Sequence, residues 1–273
     1  MTPVLRTLPV VLPNLPELAD HSILGKATVP AALLIDFIVK SAAICDADPL
    51  VIRDARFSRF LPADEIERCT FELELAGDGV ATVATLSSRI ALVGGIQRTR
   101  THAVLTLGGA APAMPLLSTE IHCDFEMPSE RAYAELIKFG PRYRNLRGSV
   151  RLGSAGATGR VCSPEPPFAD PSRAGCPYLF DSAMHLACLW GQRYAGYVAY
   201  PTGFTARVIA APVARGERFC TVVPRSVDPD RLSCDVWLTD TEQRVCDVVV
   251  GLAMVPLVGG PQPPTWIVHP QIP

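Results

Sequence analysis

Two side chains of types that can donate or accept a proton lie four residues apart in the most apolar segment of the chain. Asp181 and His185 fall within 177–196, and this spacing places both on one face of a helix. A carboxylate among apolar side chains must be paired or take up a proton, because an isolated buried charge is costly. We expect burial to raise the pKa of Asp181, against the helix dipole, which favours the charged form. A purely structural pair, with His185 as the partner of Asp181, is the alternative.

A second candidate is His21, which precedes another apolar segment at 30–47. Neutral imidazole accepts a proton near pH 7, so a histidine here suits general-base chemistry. Gly25 permits either a positive φ or the close approach of a substrate, and Pro30 suits the start of a helix. The alternative is a surface histidine in a loop.

A third segment, 139–146, contains a turn, and a basic run begins in it. Gly140-Pro141 predicts the turn, and Tyr143 follows it. The arginines of the basic run form a local cluster of positive charge in a slightly acidic chain. They are Arg142, Arg144 and Arg147. The alternative to a functional cluster is an ordinary strand face that is exposed to solvent.

The elements that must position these residues are few helices and many strands. Helical spacing predicts long helices at 30–47 and 177–196, the second one buried, and a short helix at 129–138 with Ser129 as its N-cap. The remaining apolar segments are rich in Val, Thr and Leu, and short turns between them favour antiparallel pairing. The clearest strands are 81–94, 101–109, 218–226, 233–240 and 244–257.

The two halves of the chain share one plan, a long apolar helix followed by about four strands. Such an internal repeat indicates duplication of one unit. A helix surrounded by an antiparallel sheet is the plan of a hot dog, so the sequence predicts an α+β double hot-dog fold. The predicted divisions are 1–108 with the His21 segment, a linker at 109–118, 119–258 with the Asp181 segment, and a Pro-rich tail at 259–273 that wraps the surface or is disordered.

Composition excludes several classes of protein. A net charge of -2 provides no basic field for nucleic acid, and no apolar run is long enough for a membrane span. The first residues do not fit a signal peptide, and the nine cysteines contain no Cys-x-x-Cys pair. We therefore expect a cytoplasmic protein whose cysteines are small buried side chains, with no disulfide framework and no metal.

The motifs together resemble the dehydratase domains of modular polyketide synthases, relatives of the fatty acid synthase dehydratase. His21, Gly25 and Pro30 fit His-x-x-x-Gly-x-x-x-x-Pro, and Asp181 and His185 fit Asp-x-x-x-His, in the family's order over about residues 10–257. The resemblance implies that His21 and Asp181 are the catalytic pair, one from each hot dog, and that His185 orients Asp181.

Two further motifs match less well. The Gly-Pro-x-Tyr stretch at 140–143 fits, but Phe139 replaces the usual Tyr, which removes a hydroxyl. The family's Leu-Pro-Phe-x-Trp-like segment is only loosely met by residues 200–204. Both departures concern the shape of a substrate tunnel that we expect to be lined by Leu24, Val29 and Met184.

The resemblance implies the loss of water from a β-hydroxyacyl thioester on an acyl carrier protein. His21 would be the base and a protonated Asp181 the acid, with no cofactor beyond the phosphopantetheine arm of the carrier. Expected partners are the acyl carrier protein, which the three arginines would bind, the other synthase domains, and a second copy in a homodimer. The alternatives are a double-bond isomerase or cyclase of the same fold, a non-catalytic carrier-binding module, and a metal hydrolase using His21, Asp181 and His185. A serine hydrolase is disfavoured because no Gly-x-Ser-x-Gly motif is present.

Overall fold

The computed structural model describes residues 4–42, 50–91, 97–117, 121–166, 172–212 and 215–270. The N-terminal half begins with a strand and a hairpin before its helix. Its elements are β1 (Val4–Val10), β2 (Ser22–Ile23), β3 (Lys26–Val29), α1 (Ala31–Ser41), β4 (Leu50–Phe57), β5 (Leu61–Pro62), β6 (Thr70–Gly77), β7 (Ala81–Ala91) and β8 (Gln97–Gly108). Helix α1 follows Pro30, as predicted, and is capped at Ala42, while residues 43–47 lie outside the described residues.

The C-terminal half repeats this plan around a longer helix. Its elements are β9 (Phe125–Pro128), α2 (Ser129–Arg131), β10 (Leu146–Gly153), β11 (Gly156–Cys162), α3 (Pro177–Tyr194), β12 (Ala199–Ile209), β13 (Glu217–Asp228), β14 (Arg231–Thr239) and β15 (Val245–Pro256). Every residue of α3 from Pro177 to Arg193 is buried, as the apolar pattern predicts. Strands of the same half surround α3, and α1 packs against it.

The short helix at 129–138 differs from the prediction. Ser129 does not cap it, because Pro128 already holds the extended N-cap conformation and Ser129 is buried in the first turn. After one α-helical turn the chain widens into a π-helical turn over Ala132–Leu136, where the N–H of Ile137 donates to the Ala132 carbonyl. This widening follows the shift of the hydrogen bond from i−4 to i−5.

One twelve-stranded antiparallel sheet joins the halves in the order β1-β6-β7-β8-β4-β12-β15-β14-β13-β11-β10-β9. Outward from the β4–β12 junction, the strands of the N-terminal half follow the order β4, β8, β7, β6, and those of the C-terminal half follow the order β12, β15, β14, β13. Among the long strands that come after the helix in each half, both orders are first, fourth, third, second. The same order on both sides is what duplication of one unit produces. The junction is paired in register, with Val51 opposite Val208.

The segments between and after the halves lie against the sheet and α3. Residues 110–117 form no regular structure, and Met114 and Leu117 pack on an outer apolar cluster that includes Trp237. The tail packs through Ile267, which is fully buried, and the backbone N–H of His269 donates to the Arg193 carbonyl at 2.8 Å. Residues 271–273, like residues 118–120, lie outside the described residues.

Two findings concern the excluded classes of protein. No helix in the described part of the chain is long and apolar enough to cross a membrane. The eight described cysteines are free, and five of them are buried.

Candidate active site

A cavity of about 880 Å³ is lined by residues of both halves. His21 and the first turn of α1 come from the N-terminal half, and Asp181 and His185 come from α3. Leu24, Val29 and Met184 also line the cavity, where the sequence placed a tunnel. Most of the cavity wall is apolar, so polar side chains that reach it are poorly solvated.

The β2–β3 hairpin holds His21. Leu24 and Gly25 both have positive φ in the two-residue turn, and Gly25 adopts this conformation without steric cost. At the base of the hairpin, Nδ1 of His21 lies 2.7 Å from the carbonyl oxygen of Thr28. A carbonyl only accepts, so Nδ1 carries the proton and Nε2 keeps its lone pair. His21 is 5 % exposed, so the surface-histidine alternative is wrong.

The surroundings of His21 favour its neutral form. Burial lowers the pKa of His21 below 6.5, and the charge of Asp181 only partly opposes this shift. The imidazole stacks on the ring of Phe139, with centroids 4.4 Å apart, and Tyr143 lies at 5.0 Å. A neutral imidazole with an unprotonated Nε2 is the form that a general base requires.

Asp181 does not have the raised pKa that the sequence predicts. Burial is the largest influence and acts to raise it, but the electrostatic interaction with the nearby imidazole of His185 and, to a smaller extent, with His21 lowers the pKa of Asp181 below its usual value. The cause is proximity, because Nε2 of His185 lies 2.9 Å from Oδ2 of Asp181 and both side chains are buried. The contact is poorly aligned, and neither atom has a well-directed hydrogen bond within the described residues. The unliganded site therefore holds a carboxylate.

Tyr133, which the sequence analysis did not single out, fixes the protonation of His185. Its hydroxyl oxygen accepts hydrogen bonds from the backbone N–H groups of Asn145 and Leu146, both at 3.0 Å. These donors occupy both lone pairs, so the hydroxyl proton points to Nδ1 of His185 at 3.2 Å. Nδ1 is then an acceptor, and the ring proton sits on Nε2, facing Asp181.

Phe139, which precedes the Gly-Pro turn, packs between the two histidines. The ring of Phe139 lies 4.9 Å from that of His185, besides its stacking on His21. Gly140 donates to the backbone carbonyl of Asp20 at 2.7 Å, and a Cβ on Gly140 would meet the Asp20 carboxylate at 2.1 Å. Pro141 opens the 3₁₀ turn Pro141–Tyr143 that follows. The predicted turn thus joins the two halves beside the residue that precedes His21.

The three arginines differ in their contacts. The guanidinium of Arg142 donates to the Pro166 carbonyl at 2.5 Å and is half-buried. Arg144 is exposed and donates to the carbonyl of Phe139, and Arg147 is exposed and donates to the carbonyl of Arg144. Each of the three guanidinium groups therefore has at least one N–H group that donates to a backbone carbonyl. Within the described ranges, no group of three or more His, Cys, Asp or Glu side chains is arranged to hold a metal ion.

Comparison with known proteins gives one family and one fold. The family model described as "Polyketide synthase dehydratase N-terminal domain" matches residues 128–264, just over half of the chain. This stretch contains Asp181 and His185 but not His21. No protein of curated function matches the chain significantly.

Solved structures similar to this chain include several dehydratase domains of polyketide synthases. The domain from the CurJ module of curacin polyketide synthase is 19% identical, with a TM-score of 0.74 over 94% of this chain and 92% of that one. The domain of PpsC from Mycobacterium tuberculosis is 20% identical, with a TM-score of 0.71 over 93% and 92%. The domain of a mycocerosic acid synthase-like polyketide synthase is 15% identical, with a TM-score of 0.70 over 92% and 90%. These similarities confirm the double hot-dog fold.

Proposed function

The chain belongs to the polyketide synthase dehydratase family, and from this premise we propose that it removes water from a β-hydroxyacyl thioester with His21 as the base and Asp181 as the acid. The observation that carries the proposal is the meeting of these two residues, one from each half, in a single apolar cavity. The unprotonated Nε2 of His21 supports its role, because the Thr28 carbonyl holds the proton on the other nitrogen.

The reaction needs two proton transfers. Nε2 of His21 takes the α-proton, and the electrons of the broken C–H bond form the Cα–Cβ double bond. The Cβ–O bond breaks, and the oxygen leaves as water with a proton from Asp181. Negative charge that develops on the thioester oxygen is stabilised by backbone N–H groups at the start of α1, where Pro30 and Ala31 line the cavity.

Asp181 must gain a proton before it can donate one. Its unliganded form is the carboxylate, but burial is already the largest influence on its pKa and acts to raise it. A bound acyl chain displaces the remaining water of the cavity and strengthens this desolvation. We infer that substrate binding is coupled to proton uptake by Asp181.

The thioester identifies the remaining partners. We propose that the substrate arrives on the phosphopantetheine arm of an acyl carrier protein in the cytoplasm, that no other cofactor takes part, and that the domain works beside other synthase domains, as a homodimer. The exposed guanidinium groups of Arg144 and Arg147 suit the reception of an acidic carrier. The similar PpsC domain has been solved in complex with C12:1-CoA, which supports a long acyl thioester as the substrate class.

The test is conversion of β-hydroxyacyl thioesters, read as a mass loss of one water. We expect His21→Phe to abolish conversion while the melting temperature stays near that of the wild type, because the phenyl ring replaces the buried imidazole in its stack. His122→Phe is the matched control, since His122 is exposed and outside the cavity lining. Turnover by a folded His21→Phe protein would contradict the assignment.

Asp181→Asn separates dehydration from its alternatives. The amide keeps the size of the side chain but cannot donate a proton as an acid, so we expect a loss of at least about a hundredfold. Exchange of the α-proton with deuterium should continue, because His21 is intact. An isomerase that needs only His21 would be nearly indifferent to the change, and a purely structural pair would lose stability together with activity.

A further inference from the structure

The cavity contains a buried polar group far from the proposed catalytic residues. Four of the described lining residues are both polar and buried, and three of them are His21, Asp181 and His185. The fourth is Gln192, which is fully buried near the end of α3. The other polar side chains of the lining are exposed or half-buried.

The amide of Gln192 is only half satisfied. Its nitrogen donates to the sulfur of Cys188 at 3.6 Å, one turn earlier on α3. Its oxygen, Oε1, has no hydrogen-bond partner among the described residues. A buried acceptor without a donor is destabilising, so such a group indicates a missing partner.

Gln192 lines the cavity beyond Asp181, where a bound ligand is the available source of a partner. It follows Asp181 by eleven residues on the same helix, a separation of about 16 Å at 1.5 Å per residue. Met184 and Cys188, between them along α3, also line the cavity, so one apolar face of the helix connects the two polar groups. A chain whose β-carbon lies at Asp181 and which follows this face reaches Gln192 at its distal end.

We propose that Gln192 is a distal specificity subsite that accepts a hydrogen bond from a hydroxyl group carried by the acyl chain, remote from the thioester. The inference rests on the proposed function, because it takes the cavity to be the acyl-binding site. The substrate class is a β-hydroxyacyl thioester with a second hydroxyl. An acceptor in an apolar wall selects for a donor, since a purely alkyl chain leaves Oε1 unpaired.

The experiment compares matched thioesters of increasing length that end in a methyl group, a hydroxyl or a ketone. At the length that reaches Gln192, the hydroxyl chain should have a kcat/KM about tenfold above that of the methyl chain, the value of one buried hydrogen bond. The ketone should gain nothing, because it only accepts. In Gln192→Leu the ratio of kcat/KM between the hydroxyl chain and the methyl chain should fall to about one.

Met254→Leu is the control variant, since Met254 is a buried apolar residue of the same cavity and the change conserves volume. It should keep the hydroxyl preference. No hydroxyl preference in the wild type at any length, or one that persists in Gln192→Leu, would overturn the proposal, as would a preference for the ketone. The wild-type comparison decides the matter even if Gln192→Leu does not fold.

Binding separates this proposal from the dehydration itself. The corresponding saturated acyl thioesters, which lack the β-hydroxyl, can be titrated by calorimetry. A preference for the distal hydroxyl in binding, without turnover of any substrate, would support the subsite and refute the proposed function. Turnover without a preference for the distal hydroxyl would support the proposed function and refute the subsite.

Discussion

The protonation pattern of the two histidines is set by neutral hydrogen-bond partners. A carbonyl fixes the proton of His21 on Nδ1, and a tyrosine hydroxyl fixes that of His185 on Nε2. One nitrogen therefore accepts a proton in the cavity, while the other presents its proton to Asp181. Two residues of the same type in one cavity thus have different roles, which their hydrogen-bond partners outside the cavity determine.

The lowered pKa of Asp181 leads to a prediction about proton uptake. If Asp181 is the acid, binding of a saturated acyl thioester at pH 7 should take up close to one proton in the wild type and none in Asp181→Asn. Calorimetry in buffers of different ionisation enthalpy measures this number. Because the pKa of Asp181 lies below 3.8 before binding, kcat/KM should fall as pH rises above the pKa of His21.

A different result would assign both transfers to His21. In that case no proton is taken up, and kcat/KM rises through the lowered pKa of His21, below pH 6.5, to a plateau at higher pH. The two schemes therefore predict opposite slopes of kcat/KM around the pKa of His21. A fall of kcat/KM above this pKa assigns the acid to Asp181, and a rise to a plateau assigns both transfers to His21.

In Tyr133→Phe, the neutral imidazole of His185 should populate both tautomers. The change removes the hydrogen bond to Nδ1 and leaves two buried backbone N–H groups without their acceptor, so we expect a loss of stability of about 2 kcal/mol. Turnover should fall about fivefold, in proportion to one lost hydrogen bond. Nitrogen-15 NMR of the His185 ring should show a mixture of tautomers in place of the Nε2–H form.

Tyr197→Phe serves as the control, because its hydroxyl donates to the Asp228 carbonyl outside the cavity lining. It should leave the His185 resonances and the turnover unchanged. An unaltered His185 tautomer in Tyr133→Phe would show that the hydroxyl does not direct this proton.

The sequence predicts these residues unequally. His21, Asp181 and His185 carry motif spacing, and the first lies on a hairpin while the others share a helix face. Tyr133 gave no such signal, because its contact with His185 spans 52 residues and depends on the π-helical turn. Gln192 was also not predictable from the sequence, because the sequence does not show that its amide is buried and lacks a partner.

At the scale of elements, the Gly140 turn is the contact that places Phe139 against both histidines. Gly140→Ala would put a methyl group within 2.1 Å of the Asp20 carboxylate, so the turn or the loop before His21 must move. We expect turnover to fall about a hundredfold, the effect of roughly 1 Å of misplacement in a catalytic group. The measurement is kcat together with the melting temperature.

Gly159→Ala is the matched control in the same half. A Cβ at Gly159 would meet its nearest neighbours at 3.7–3.8 Å, an ordinary contact, so activity should be retained. Equal activity of the two variants would mean that the loop before His21 tolerates displacement of Asp20.

The pattern of elements was predictable because local periodicity dominates it. The helix predicted at 177–196 and the strands at 101–109, 218–226, 233–240 and 244–257 occur within about four residues of their predicted bounds. The helix predicted at 30–47 begins at Ala31 but ends at Ser41, and the strand predicted at 81–94 is described only as far as Ala91. The cap of the short helix was not predictable from Ser129 alone, because the preceding Pro128 competes for the N-cap position. The pairing of β4 with β12 was also beyond local patterns, since it connects strands about 150 residues apart.

At the scale of the whole molecule, the continuous sheet and the tail close one cavity from several directions. The tail residues Pro261, Gln262 and Pro264 line it together with α3 and the β2–β3 hairpin. Beyond them the tail is anchored by aromatic contacts. Trp266 stacks on Phe125 with centroids 6.3 Å apart and receives the guanidinium of Arg131 at 3.9 Å from its centroid.

Removal of this anchor should affect long acyl chains more than short ones. In Trp266→Ala the tail loses its stacking, and the wall that it forms loosens. Each methylene that loses its apolar contact costs about 0.8 kcal/mol, so KM for a long β-hydroxyacyl thioester should rise roughly fourfold per methylene affected. Short thioesters, which occupy the region around His21 and Asp181, should keep their KM and kcat.

Val258→Ala is the control, because Val258 is 87% exposed and does not line the cavity. An equal rise in KM for short and long chains would show that the tail acts on the catalytic end and does not form the distal wall.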